Sequence, residues 1–579
     1  MGVFSKRAAA LTAAVAALAV GLAACGSDDS SSPSGADGEA TKGGTITLLD
    51  IPTNYEGTDP ASIYYGHQIA GFRRLVYRGL VAFPISDDPK VSGTPTPDLA
   101  KDAGTTPDGG KTWSFTLKDG IKWEDGSEIT CADFAYGTSR SFDENLVHGT
   151  GPGTTYISTL DGAEGYTGPF TSTPAQQKSF DEKAVTCDGK TVTFHFTQAF
   201  PDFPQSVAAL LVVDPYKKDF DKGAKNLYKI LSNGPYKLES SDNTFDSAKG
   251  ATFVRNTNYD PATDSTALRE ANPDKWQIEL LQSQSTIFDR LIADSGDDKT
   301  ALATANITSD KYSQIVGPVA ERTDKVASPY TRFLQINNLK VTDPKVRLAI
   351  TTAMDRDGAV KVLGGANYGE VSSTLVSAST PGYKPNPAFE KIPTAGDPAA
   401  AKALLAEAGK AGYPLKVSFV QSDPVAKLFA LFKENWEAAG FKVTLNPISE
   451  DANPGYYTQM SEKQKDTDVF YSGWASDWPS LLAVTPVILE TENPGFNYGY
   501  YSNAQVDKLF GEARTAIAAG DIDGMIAKAQ EADALAGEDA AYSPILQQNN
   551  YFLYGSKIGG FLPDVASSFY PDLGKMFVK

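Results

Sequence analysis

The chain has 579 residues, 41% of them apolar, enough for several cores and more than one structural unit. Its 71 acidic residues outweigh 52 basic ones, and the formal charge of −19 argues against nucleic acid or an anionic surface as partner. With three cysteines and three histidines, and none of His67, His148 or His195 near a Cys-x-x-Cys pair, the composition points to no metal and no cofactor.

Lys6 and Arg7 precede an apolar run from Ala8 to Ala24, the plan of a secretory signal with small residues at its cut site. The cut falls before a cysteine in Leu22-Ala23-Ala24-Cys25, which resembles the lipobox of bacterial lipoproteins. That resemblance implies removal of residues 1–24 and lipidation of Cys25. The mature protein is then expected at the extracellular face of the bacterial cytoplasmic membrane, attached to it only through its N-terminal lipid. The alternative is an uncleaved membrane helix, but the alanine-rich run covers about 17 residues where ~20 strongly apolar ones are needed. Residues 25–41, rich in Ser, Asp and Gly, read as a flexible tether. In an exported chain the remaining cysteines, Cys131 and Cys187, predict a disulfide, with two buried free thiols as the alternative.

Folded sequence begins near Lys42. Residues 44–49 alternate and are β-branched, predicting a first strand. Ile69, Phe72, Leu75 and Val76 stand at helical spacing. Residues 113–117 and 121–123, separated by Lys118-Asp-Gly120 and followed by a turn at Glu124-Asp-Gly126, predict an antiparallel meander, and residues 191–196 a further strand. Asp343-Pro344, Asp397-Pro398 and Asp423-Pro424 each open a helix, with Asp as N-cap and Pro at the first helical position. Strands at 416–420 and 441–445 flank the third helix, so part of the chain is a β-α-β unit. Ser502 and Asp521 are expected to cap two more helices. Residues ~89–200 are therefore strand-and-turn rich, and ~330–543 alternate helix and strand.

Six segments in order resemble the extracellular solute-binding proteins of ABC importers, family 5, of the oligopeptide and dipeptide type. They are FRRLVYRGLVAF (72–83), PDLAKDAGTTPDGGKTWSFTLKDGIKWEDGSEITCADFAYGTSRSFD (97–143), NGPYKLES (233–240), INNLKVTDPKVRLAITTAMDRDGAV (336–360), DVFYSGWASDWPS (468–480) and YGYYSNAQVDKLFGEAR (498–514). The resemblance runs from about residue 44 to the C-terminus. It implies a mixed α/β, two-lobe, periplasmic-binding-protein-like fold with a hinge and an extra domain in the first lobe. On that plan 42–88, 200–329 and 544–579 form lobe I, 89–199 the extra domain and 330–543 lobe II.

In the oligopeptide-binding members an aspartate in a Gly-Trp-x-x-Asp segment accepts the peptide's α-ammonium. The resemblance carries that role to Asp477, with Trp474 and Trp478 walling the site and Tyr471 close by. A buried tryptophan core with Asp477 as a local cap is the structural alternative. Further candidates are Tyr330, Arg332 and Asn337 at the entry to lobe II, Tyr64 and Tyr65 after Asp59-Pro60, and Asn497 and Tyr498 after Pro494-Gly495. Arg269, Arg290 and Arg332 are all possible partners for a peptide carboxylate, and no motif selects among them. The implied function is a monomeric, lipid-anchored receptor that encloses a small peptide by hinge closure and delivers it to an ABC permease and ATPase complex. Oligosaccharides, opines and metal chelates are alternative ligands within the same fold. An extracellular glycosidase is the enzymatic alternative, but no Gly-x-Ser-x-Gly, His-Glu-x-x-His or P-loop motif points to catalysis, and no catalytic residue is assigned.

Overall fold

The first expected strand, Thr45–Asp50, lies inside a five-stranded sheet, between Ala301–Ala303 and Lys275–Leu280, both parallel to it. Gly250–Arg255 and Tyr236–Leu238 complete the sheet in antiparallel fashion. The structure is a computed structural model that describes residues 39–146, 156–449, 451–463, 465–491 and 496–579. The expected signal, Cys25, most of the tether and His148 lie outside those residues. No helix of the described residues is long and apolar enough to cross a membrane.

The helix Gly66–Leu75 packs Phe72 and Leu75 against this sheet, together with Ile46, Trp276 and Ile278. The arginines in and just beyond it are buried and paired at long range. Arg73 bonds Asp214 at 2.6 Å, Arg74 bonds Asp572 at 2.8 Å, and Arg78 bonds Asp98 at 2.7 Å. Asp98 also accepts from Arg269 at 2.6 Å. Though burial opposes its charge, the two guanidiniums hold its carboxyl far below the usual range. These pairs tie residues 73–78 to segments far away in the chain. Breaking one such pair by removing a single partner costs roughly 3–5 kcal/mol, because the other charge is left buried and uncompensated.

The strand-rich region folds differently from the expected meander. Thr112–Thr116 pairs with Thr191–His195 rather than with residues 121–123, and Val185–Asp188 completes a three-stranded antiparallel sheet. Residues 121–123 form a tight loop with one bridge, Lys122 to Glu128. The sheet has its own core, including Phe115, Phe134, Phe194 and Phe203. Cys131, at the start of the helix Cys131–Arg140, is disulfide-bonded to Cys187, with the Cα atoms 5.8 Å apart.

A six-stranded sheet organises the alternating region, in the order Gly369–Val371, Tyr542–Leu553, Thr323–Ile336, Val469–Ala475, Pro414–Val420 and Lys442–Ile448. The last two strands are parallel and joined by the helix Asp423–Ala438, the expected β-α-β unit. Ser422 holds the N-cap position of that helix without a side-chain hydrogen bond, and Asn503 caps Ala504–Ala518, each one residue away from the Asp423 and Ser502 expected as caps. Asp343, Asp397 and Asp521 do cap their helices, accepting from the amides of Lys345, Ala400 and Gly524. One face of the sheet buries Val346, Ile350, Phe429 and Trp436, and the other buries Phe510, Met525 and Ala529.

Thr323–Ile336 and Tyr542–Leu553 are the long strands of 14 and 12 residues, and they carry the chain between the two large sheets. Near the five-stranded sheet, Leu302 bridges Tyr554, and the amide of Ile307 donates to the carbonyl of Tyr551 at 2.8 Å. The register between the two strands shifts between Ala327 and Thr331. Pro329, which has no N–H to give the ladder, sits inside that irregularity, where such a residue is tolerated and a strand bends.

Candidate functional site

The strand Val469–Ala475 runs antiparallel to Thr323–Ile336, so Tyr330 faces Ala475, Arg332 faces Gly473 and Leu334 faces Tyr471. Just beyond its end, the turn Ser476-Asp477-Trp478 reaches across to residues of the first lobe. Tyr64 donates its hydroxyl to Asp477 Oδ1 at 2.7 Å, and Tyr156 donates to Oδ2. Trp478 is buried in the core of the three-stranded unit, donates its indole N–H to Asp202 at 2.6 Å and meets the Tyr156 ring edge-on at 4.7 Å. A narrow cleft runs along this seam. Arg73 and Phe83 line it from one side, Pro329 and Ser379 from the other, with Asp477 and Trp478 between.

The electrostatics of Asp477 differ from those of the paired acids in the first lobe. No described Lys, Arg or His stands within ion-pair distance of it. Burial pushes its carboxyl up to about 6, and the two tyrosine hydrogen bonds pull only part of the way back. Burial and the neighbouring carboxylate push both tyrosine hydroxyls upward as well, so they stay protonated donors. The arrangement is an anion without a counter-ion, in a partly dry cleft between lobes. A cation entering there gains a charge-assisted hydrogen bond in surroundings of low dielectric.

The other expected residues divide. Tyr330 stacks under the Arg332 guanidinium, 4.6 Å from its ring centre, and Tyr471 lies 5.6 Å from it while packing edge-on against Phe429 in the lobe II core. Trp474 does not wall the site. Successive residues of a strand point to opposite faces, so Trp474 faces away from Gly473 and Ala475. Its indole donates to the Ala483 carbonyl, and its ring packs on Phe496. Asn337 and Asn497 are buried and spend their amides on backbone: Asn337 on the Thr467 carbonyl, Asn497 on those of Glu490 and Tyr501. Tyr498 packs on Phe496, and Tyr65 is exposed and stacks on His67. Of the expected residues, Asp477 and Trp478 line the cleft, and Trp474, Asn337, Asn497, Tyr498, Tyr65, Tyr64, Tyr330, Arg332 and Tyr471 do not. Tyr156 was not expected. It is 321 residues from Asp477, and nothing in its local sequence marks it.

A family model, Bacterial extracellular solute-binding proteins, family 5 Middle, matches residues 94–495, and the chain belongs to that family. Glutathione-binding protein GsiB of Salmonella typhi is 23% identical over 545 residues, covering 90% of this chain and 93% of that protein. Periplasmic oligopeptide-binding protein OppA of Salmonella typhimurium is 24% identical over 558 residues, covering 89% and 92%. Among solved structures, clavulanic acid biosynthesis oligopeptide binding protein 2 superposes with a TM-score of 0.79 at 22% identity, covering 93% of this chain and 96% of that one. The fold is therefore the two-lobe architecture of solute-binding proteins.

The raised Asp477 carboxyl has a consequence for stability. In the unfolded chain it titrates near ~3.9. The native state thus favours the protonated form, and its contribution to stability is present below about 4 and lost as pH rises through about 6. Asp477→Asn is expected to raise the melting temperature of the ligand-free protein at pH 7.5, with the gain vanishing near pH 4. Scanning calorimetry of both proteins at the two pH values checks this, and an equal gain at both contradicts it.

Proposed function

We propose that this protein is the substrate-binding receptor of an ABC importer, anchored by a lipid on Cys25, and that it captures short peptides by closing its two lobes on them. The observation that carries the ligand class is Asp477: a half-buried carboxylate at the seam, with two tyrosine hydroxyls and no described cation beside it. A peptide α-ammonium supplies that cation. An oligosaccharide would offer only hydroxyls, which Tyr64 and Tyr156 already provide. The relatives' names, glutathione-binding and oligopeptide-binding, belong to the same ligand class.

On this reading residues 42–88, 200–329 and 544–579 act as lobe I, 89–199 as its extra domain and 330–543 as lobe II. Closure pivots at the irregular pairing around Pro329, in the long strands that join the lobes. Trp478 is assigned to closure as well as to the ligand wall, since lobe II inserts it into a core of the first lobe. The receptor acts as a monomer, performs no chemistry on the ligand, and hands it to a permease and ATPase complex. Ligand contacts to both lobes stabilise the closed state.

Calorimetric titration with short peptides tests the ligand. Asp477→Asn is expected to weaken binding at least about thirtyfold, the lower bound for removing one partner of a buried charged hydrogen bond. In the wild type, affinity is expected to hold above pH 6 and to fall as pH drops through about 6, where Asp477 takes up a proton. Unchanged affinity in the variant removes the amine-binding role. The anchor is tested separately: Cys25→Ala is expected to release the protein into the medium, and a variant that stays membrane-bound contradicts lipidation.

A further inference from the structure

A second cavity, of about 370 Å³, lies between the helix Ile522–Glu538 and the loop 376–387. That size falls within the ~300–1,000 Å³ of small-molecule sites. It shares no lining residue with the cleft beside Asp477. Ala527, Gln530, Glu531 and Ala534 recur at helical spacing, so one face of the helix makes a wall, and its two alanines leave room that larger side chains would fill. Gln530 donates to the Gly382 carbonyl at 2.8 Å and fastens the loop across from it. A Cβ on Gly382 would lie 3.0 Å from Ile526 and 3.1 Å from Leu481, and φ there is +84°, so glycine is what lets the loop approach this closely. Farther along, Asn386 caps the short helix Pro387–Glu390 and gives its amide to the Asp533 carbonyl at 2.7 Å. The loop is thus held at two points, with the cavity between them. Its inner surface is apolar, from the buried Val376, Leu481 and Ala529.

One charge meets that surface. Asp533 is buried, and its carboxylate accepts from the Tyr542 hydroxyl at 2.7 Å, the Thr374 hydroxyl at 3.0 Å and the Asn386 amide at 3.2 Å. All three donors are neutral, and no described Lys, Arg or His stands within ion-pair distance of it. Burial pushes its carboxyl upward, and these bonds pull part of the way back. Oδ1 takes only the Tyr542 bond, so it keeps a lone pair for another donor. At the rim, Lys384 is exposed and has no described carboxylate within ion-pair distance, whereas Glu531 is paired with Lys528 at 3.3 Å.

We infer that this cavity is a second ligand site, and that it takes a small aliphatic amine, with the ammonium at Asp533 and the apolar body against Val376, Leu481 and Ala529. An ammonium supplies the cation that the Asp533 network lacks, in surroundings where a charge-assisted hydrogen bond is strong. A free aliphatic amino acid and its decarboxylated amine share this chemistry, and only the amino acid also engages Lys384 through its carboxylate. The inference does not depend on the peptide reading, because the two sites have no residue in common.

The test is calorimetric titration of the mature chain, refolded beforehand, with leucine, isoamylamine and isocaproate, which are the amino acid, the same body without its carboxylate and the same body without its amine. Leucine and isoamylamine are expected to bind saturably, and isocaproate at least about tenfold more weakly than leucine, the worth of one charged hydrogen bond. Ala527→Trp fills the cavity from an exposed helix position clear of the Asp533 network, and is expected to weaken both amines about tenfold or more. Asp533→Asn, provided that melting shows it folded, is expected to lose the preference for leucine over isocaproate; where it does not fold, Ala527→Trp carries the test. In Lys384→Ala, a loss confined to leucine assigns the amino acid as ligand, and no loss for either assigns the plain amine. Isocaproate binding as tightly as leucine overturns the inference, as do wild-type affinity in Ala527→Trp and failure of both amines to bind. If Asp477→Asn abolishes leucine binding and Ala527→Trp keeps it, the amine lies in the cleft: the second site falls and the amine reading of Asp477 stands.

Discussion

The pairing of Thr323–Ile336 with Tyr542–Leu553 is the constraint on which the rest depends. These strands are long enough to serve both lobes. One end is tied to the five-stranded sheet through Leu302 and Ile307, and the other lies at the centre of the six-stranded sheet. A continuous ladder would make a stiff connection. The register shift around Pro329 interrupts it between the end tied to the five-stranded sheet and the end inside the six-stranded one. Tyr330 and Arg332 follow immediately, so the residues nearest the interruption are also those facing the strand that ends at Asp477. The register shift and the strand face opposite Gly473 and Ala475 thus share a few residues.

The electrostatics follow one logic in the lobe bodies and another at the seam. Buried acids of the first lobe are matched to arginines: Asp98 by two of them, Asp214 by Arg73 and Asp572 by Arg74. These pairs tie residues 73–78 to segments at 98, 214 and 572, and through Asp98 to 269. At the seam the matching stops. Asp477 has two hydroxyls and no cation, and Arg332 has aromatic faces and no carboxylate. Burying a charge without its partner costs stability.

Much of this architecture was legible in the sequence because it is written in local signals. Apolar spacing over 423–438 and two flanking β-branched runs specify the β-α-β unit without any tertiary information, although its cap position falls at Ser422 and not at the expected Asp423. The family resemblance, rather than a local signal, drew attention to Asp477, which the folded chain places against Tyr64 and Tyr156. What was not legible is what depends on pairing over distance. The strand at Trp113 found its partner some 80 residues on instead of in the next turn, because both sequences alternate equally well. Strand parity separated Trp474 from the site although it is only three residues from Asp477. Tyr156 carries no local mark, and its role comes entirely from being opposite Asp477 in the folded chain. That carboxylates hold Arg269 and Arg290 while Arg332 donates to Gln548 was equally invisible in the sequence.

Native mass spectrometry of the mature chain, as purified and again after unfolding and refolding, tests the central claim most directly. The account predicts a heterogeneous set of bound short peptides that disappears on refolding and returns when a peptide mixture is added. A single non-peptide adduct would contradict it. So would a bare protein that ignores the peptide mixture and shifts with oligosaccharides.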